Sequence, residues 1–362
     1  MKAPDPDEIE VTVFGPGYGE CIVIHAGSGK WLVIDSCLDR SREPASIVYL
    51  RSLGVKPEKA VATVAASHWH DDHIKGLSKT VKQCRSARLA FSNAFTKEEF
   101  LALLYSYEDQ PVGKIDRGGT EFLKCLQHAQ KAGRQIKPLS EDTVVIDFDA
   151  GVLAHKQRVE LRALSPSSAQ FFDFLRRCPS YVNDNIGEPK TRLVAPRRND
   201  LSVAMLFSIG EQAVLLGADL EEVGDPEKGW QAVVKLRGPR EHLAHIHKIP
   251  HHGSSGAHLG QVWQSLLHRN PWSVVTPWIH GGIVLPKPAD KARIRRLSTE
   301  SYLTSTKRES LKKNYDRETL KHIKRSGVDF RTAVFSGGFV TFRWTPPATT
   351  PSVSLYNGAV VL

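Results

Sequence analysis

One six-residue stretch, His68-Trp69-His70-Asp71-Asp72-His73, constrains this chain more than any other. Three imidazoles and two carboxylates crowd directly behind Val61–Ala66, an apolar, β-branched run that predicts a short buried strand. A strand that stops abruptly fixes the first of these side chains, while the loop beyond it lets the others converge on one point. Imidazole and carboxylate donors suit Zn, Mn and Fe, and the spacing of His68, His70, Asp72 and His73 lets one loop serve two cations. A solvated polar loop has no reason to gather so many titratable groups at the end of a hydrophobic strand.

The rest of the chain reads as alternating strands and helices. Ile9 to Phe14 alternates as a strand, and Gly15-Pro16-Gly17-Tyr18-Gly19 breaks it. Cys21 to His25 and Trp31 to Asp35 form a hairpin over Gly27-Ser28-Gly29. Helices are expected at 43–53, 120–131 and 168–177, and another through about Tyr107 behind the capping box Thr96-Lys97-Glu98-Glu99. Strands are expected at 144–148, 159–164, 202–207, 213–217, 246–249, 273–276 and 339–344, with a loop from Pro179 to Arg198. This mixture predicts an α/β protein with more than one sheet.

Composition narrows the class. No apolar run approaches the roughly 20 residues needed to cross a bilayer. The acidic, proline-containing Met1 to Glu10 lacks the basic-then-apolar pattern of a signal peptide, so the cytoplasm is the expected compartment and no membrane partner is expected. Five cysteines without a C-x-x-C pair argue against a disulfide framework or an all-cysteine zinc site. The net charge of +10 is concentrated: residues 287–325 hold thirteen Lys/Arg against five acids, +8 of the total. That is the electrostatic footprint of a polyanion binder, and Lys287, Arg293, Arg295, Arg296, Lys312 and Lys313 are its candidate nucleic-acid contacts.

The pattern H-x-H-x-D-H resembles the signature of the metallo-β-lactamase superfamily, and further motifs follow in that superfamily's order. Asp35, ending Trp31-Leu32-Val33-Ile34-Asp35, looks like its bracing carboxylate. Asp219, in Leu215-Leu216-Gly217-Ala218-Asp219, looks like the aspartate that bridges two metals, and Pro250-His251-His252-Gly253-Ser254 like the late histidine motif. More narrowly, Gly17-x-Gly19-Glu20-Cys21-Ile22, Asn199-x-x-Ser202-Val203, the Gly217-Ala218-Asp219 and P-H-H-G-S motifs, and Val275-Thr276-Pro277-Trp278 with Leu285-Pro286-Lys287 are similar to the hydrolase domain of the DNA-uptake protein ComEC and its stand-alone relatives.

The resemblance implies an αββα sandwich over residues 1–362, with a helical insertion at about 90–198 and a basic C-terminal part at about 285–345. It implies two divalent cations, Zn or Mn, with nucleic acid as the substrate and bacterial defence as a setting. His68, His70 and one of His251 and His252 would hold one metal. Asp72 and His73 would hold the other, with Asp219 between them and Asp35 bracing the loop. The superfamily's third-motif histidine is missing, and the nearest candidates, Asn199 and Asp200, would harden that shell toward Mn or Mg. Asp72 would orient and deprotonate the nucleophile, and a late histidine, with His252 as the candidate, or a lysine would serve as an acid for the leaving group. The competing expectations are a small-molecule hydrolase acting on a lactone, thioester, β-lactam or signalling nucleotide, and a non-catalytic binding module.

Overall fold

Two eight-stranded sheets carry the fold, in a computed structural model. It describes residues 1–39, 41–93, 117–185, 198–237, 242–280, 282–306, 318 and 337–362, with backbone alone for 117–118, 178–185 and 198. The first sheet contains β1 (Ile9–Gly15), β2 (Cys21–His25), β3 (Trp31–Ile34), β4 (Val61–Ala66), β5 (Arg88–Ser92) and β6 (Ile136–Leu139). The second contains β7 (Val144–Phe148), β8 (Val159–Ala163), β9 (Met205–Ile209), β10 (Gln212–Leu216), β11 (Ala244–Lys248) and β12 (Leu267–Val275). A small hairpin follows, β13 (Trp278–His280) and β14 (Ile283–Leu285). β15 (Ser301–Leu303) and β18 (Val360–Val361) then extend the second sheet, while β16 (Gly338–Trp344) and β17 (Ser352–Tyr356) return to the first.

The strand orders are β17-β16-β1-β2-β3-β4-β5-β6 and β18-β15-β12-β11-β10-β9-β8-β7. β3, β4, β5 and β6 run parallel at one side of the first sheet, and β10, β11, β12 and β15 run parallel within the second, where β18 closes that side antiparallel to β15.

The layering follows from which faces are apolar. Ile9, Val11, Val13, Ile22, Ile24, Leu32 and Ile34 face Val159, Leu161, Phe207, Val214, Leu216 and Ile246 across the space between the sheets. Burying each such side chain contributes roughly 1.5–3 kcal/mol. The outer face of the first sheet (Phe14, Val23, Val33, Val64) packs on helices Ala45–Ser52, Leu77–Gln83 and Arg117–Lys131. The outer face of the second (Leu206, Leu215) packs on helices Gly229–Arg237 and Gly260–Ser265 through Trp230, Val233, Val262 and Leu266. Both faces of each sheet are thus covered, which is why β1 is buried at all seven positions. The result is the expected αββα sandwich.

Some expectations shift. Residues 90–198 hold helices Arg117–Lys131 and Ser168–Asn185, and they also supply β6, β7 and β8, integral strands of both sheets. The expected loop from Pro179 is helical through Asn185, at the end of a helix that Phe171 and Phe174 dock on the first core. The capping-box helix at 96–107, and Lys312 and Lys313 of the basic segment, lie outside the described residues. No helix among the described residues is long and apolar enough to cross a membrane.

Candidate metal centre

The expected ligands leave the carboxyl ends of neighbouring parallel strands, where open α/β sheets place their ligand sites. β3 and β4 pair in parallel, so Asp35 and Ser67-His68 emerge side by side. β10 and β11 do the same for Asp219 and His251-His252. Asp35 (φ +61°), Ala218 (+44°), His251 (+46°) and His252 (+53°) all adopt left-handed backbone. Such conformations cost of order 1–3 kcal/mol at non-glycine residues and persist where packing imposes them, typically at functional sites. Gly19 (φ +122°) is required for a related reason: a Cβ there would sit 2.8 Å from that of Cys37. Without one, the loop after β1 comes close enough for Glu20 N–H to donate to Asp72 O at 2.7 Å.

Two donor clusters share one carboxylate. Asp72, His73, Asp219 and His252 form the first, all buried, and His68, His70 and Asp219 the second. In the first, His252 Nε2 lies 3.0 Å from Asp72 Oδ2 and 3.6 Å from Asp219 Oδ2, and His73 Nε2 lies 3.2 Å from Asp219 Oδ1. In the second, His68 Nε2 is 3.0 Å from His70 Nδ1 and 3.8 Å from Asp219 Oδ2. These are adjacent ligand sets, each suited to a divalent cation.

Each buried imidazole is anchored through one nitrogen and turns the other into the site, the arrangement that fixes a ligand's tautomer and orientation. His73 Nδ1 bonds Asp35 Oδ2 at 2.8 Å, and His252 Nδ1 bonds the Thr276 carbonyl at 2.9 Å. His68 Nδ1 meets Ser67 Oγ at 3.0 Å and Ser202 Oγ at 3.2 Å. Asp35 also accepts from Ser67 N–H (2.7 Å) and Ser67 Oγ–H (2.6 Å), so it ties the histidine loop to β4. His73 Nε2 faces Asp219 Oδ1 at 3.2 Å and Asp72 Oδ2 at 3.6 Å; among the described residues neither it nor Asp219 Oδ1 makes a hydrogen bond of good geometry, and a cation would satisfy both.

Several expected residues sit differently. The sequence expects the late histidine beside His68 and His70; the structure instead sets His252 with Asp72 and His73. His251 turns to Glu221 Oε1 at 3.0 Å, with Asn199 Nδ2 donating to the same oxygen at 2.7 Å. Asn199 thus lies near the site's rim, and Asp200 lies 3.4 Å from Arg177, in neither ligand cluster. Ser202 contacts His68 at 3.2 Å and accepts from Asp219 N–H at 3.1 Å. Of the basic candidates, Lys287, Arg295 and Arg296 are exposed on or beside helix Pro288–Leu297. Arg293 is engaged, donating to Asp290 at 2.7 Å and to the Gly253 carbonyl at 2.8 Å. Cys21, Cys37, Cys84 and Cys125 are buried free thiols, and burial pushes the Cys37 thiol well up.

Sequence reasoning missed the support beneath the site. Lys248 and Glu20, both buried, form an ion pair; Thr276 Oγ–H donates to Glu20 at 2.6 Å, and Lys248 donates to the Ala218 carbonyl at 3.2 Å. A charged residue inside an apolar run, as in Cys21-Ile22-Val23 after Glu20 or His247-Lys248-Ile249, was the available signal.

The field of this cavity favours positive charge. Burial opposes a proton on His73, yet the carboxylates of Asp219, Asp72 and Glu20 outweigh it and raise its pKa well above the ordinary value. Burial likewise opposes charge on Asp219, but His73 and His252 hold it well below the usual carboxylate range. Asp72 is lowered by the same histidines against its own burial. Burial, then His73 and His70, depress His68, leaving a neutral imidazole with a lone pair to offer. A proton on His73 balances the carboxylates where a cation would.

No protein-family model and no curated protein matches the chain. Similar solved structures include MEM-A1, a subclass B3 metallo-beta-lactamase isolated from a soil metagenome library (14% identity over 73% of this chain and 89% of that one, TM-score 0.35). Rm3 metallo-beta-lactamase is similar at 13% identity over 80% and 90% of the two chains, TM-score 0.34. The metallo-beta-lactamase MIM-1 from Novosphingobium pentaromativorans is similar at 14% identity over 67% and 76%, TM-score 0.32. The fold class rests on this chain's own layering and strand order.

Proposed function

We propose that this chain is a two-metal hydrolase of the metallo-β-lactamase type that cleaves phosphodiester bonds in nucleic acid. The carrying observation is the pair of adjacent ligand clusters that share buried Asp219. The substrate class is supported by the +8 charge of residues 287–325, by exposed Lys287, Arg295 and Arg296, and by the ComEC-like motifs.

His68, His70 and Asp219 would hold one cation, and Asp72, His73, His252 and Asp219 the other. Such a pair lowers the pKa of water from about 15.7 toward 7 and neutralises charge on a phosphoryl oxygen. The protein's part is positioning and proton handling. Asp35, Thr276, Ser67 and Ser202 fix the imidazole rings before substrate arrives. Asp72, ionised and in contact with His252 Nε2, orients the attacking water through Oδ2 and takes its proton. With His252 among the ligands, His251 at the rim on Glu221 takes over in this reading the return of a proton to the departing alkoxide: burial opposes its charge, but Glu221 and Asp219 prevail and raise its pKa.

The test incubates the purified chain and an Asp72→Ala/His73→Ala variant with linear DNA, circular DNA and RNA, each with Mn, Mg or Zn. Metal-dependent cleavage by the wild type, lost in the variant, is expected. Cleavage of none under any metal overturns the nucleic-acid reading and leaves a small-molecule hydrolase; absence of metal from the purified protein leaves a binding module.

A further inference from the structure

Beside the metal centre stands a group of rings that the hydrolytic mechanism does not use. Trp278 packs its ring 5.3 Å from that of His252. Tyr18 meets Trp278 edge-on at 5.0 Å, and His280 lies tilted over Tyr18 at 4.5 Å. Trp278 and His280 belong to hairpin β13–β14, and Tyr18 to the loop after β1; Ile279 N–H donating to the Gly17 carbonyl at 2.5 Å joins the two. The hairpin begins two residues after Thr276, whose carbonyl orients His252. The platform and the ligand are therefore parts of one rigid connection.

Aromatic rings in a soluble protein are ordinarily covered. Here Tyr18 and Trp278 are only half-buried and His280 is exposed. Cations flank them: exposed Lys75 holds its ammonium 6.0 Å over the Tyr18 ring, and exposed Lys287 follows the hairpin by two residues. Half-exposed rings interleaved with cations match a single nucleic-acid strand, whose bases present π-faces while its phosphates seek positive charge. In a nucleotide the base hangs one sugar away from its phosphate, and Trp278 stands one ring away from His252.

We propose that Tyr18, Trp278 and His280 form a stacking platform for the base flanking the scissile phosphodiester, an inference that rests on the nucleic-acid reading above. The platform selects unpaired strands, because a base within a duplex offers no free face.

The test measures binding of the full metal-loaded chain to two fluorescent phosphorothioate-linked strands of equal length and charge, an oligothymidylate and an abasic strand, by anisotropy. The wild type should prefer the base-bearing strand by about 5- to 150-fold, the value of stacking one base. Trp278→Ala and Tyr18→Ala should collapse that preference while leaving abasic binding and metal content, by elemental analysis, unchanged; Trp278→Phe should retain most of it. Equal binding of both strands by the wild type, or an undiminished preference in both alanine variants, overturns the platform and leaves the nucleic-acid reading standing. Binding of neither strand removes that reading and the platform with it.

Discussion

Glu20 and Lys248 neutralise each other where neither side chain touches solvent. Glu20 reaches the site through Thr276 and His252, and Lys248 through the Ala218 carbonyl next to Asp219. One ion pair therefore braces ligands on two strand ends. Lys248→Met strands a buried carboxylate and should cost about 3–5 kcal/mol, whereas the double variant with Glu20→Gln should recover much of that loss. Urea unfolding of both singles and the double measures it; strictly additive losses would show that the two groups are not coupled.

The division of ligands predicts metal stoichiometry. His70→Ala should lose the cation of the His68, His70, Asp219 set, and His252→Ala the other, while Asp219→Asn should weaken both. His251→Ala should keep both metals, since its side chain turns to Glu221. Elemental analysis after dialysis counts them, and loss of a metal from His251→Ala would contradict the assignment.

Asp35 touches the His73 nitrogen that faces away from the site. Asp35→Asn keeps the shape but removes the charge that orients this ring, so metal affinity should fall about 10- to 100-fold. Competition with a chelating dye reads the affinity, and an unchanged value would confine Asp35 to a structural role.

His247 makes the protein acid-sensitive away from the site. It is fully buried against Trp263, with neither ring nitrogen hydrogen-bonded, and burial, helped by Lys248, lowers its pKa to about 3. The unfolded chain takes up a proton at about 6.5 that the folded protein refuses. The stability due to neutral His247 is thus complete above about 6.5 and lost progressively as pH falls toward 3. His247→Phe should leave stability at pH 8 nearly unchanged and flatten its decline between pH 6.5 and 4.5. Melting curves of both proteins across that range decide the matter, and parallel declines would exonerate His247.

The parts of the site that sequence made legible share a grammar. Asp35, His68 and Asp219 each follow an apolar strand, and position alone marks them as strand-end residues. What stayed hidden depends on partners far along the chain. Ser202 contacts His68 across 134 positions and Thr276 contacts Glu20 across 256, and no local pattern encodes either. The side of Asp219 on which His252 falls is decided by strand order, which periodicity does not report. Strand β6 was illegible for another reason: Ile136–Leu139 is short, half-exposed and contains proline, as sheet edges often do.

β1 waits long for its second neighbour. Ile9 pairs with Trp344 and Gly15 with Gly338, so β1 stays an open edge until the ribosome has passed residue 344. A seven-residue unpaired edge with alternate apolar faces is a template for unwanted pairing. Nascent chains are therefore expected to cover the open side of β1 only after synthesis passes residue 344, and chains stopped after Thr306 are expected in the insoluble fraction. Recovering such a chain soluble and cooperatively folded would show that β1 finds other cover while it waits.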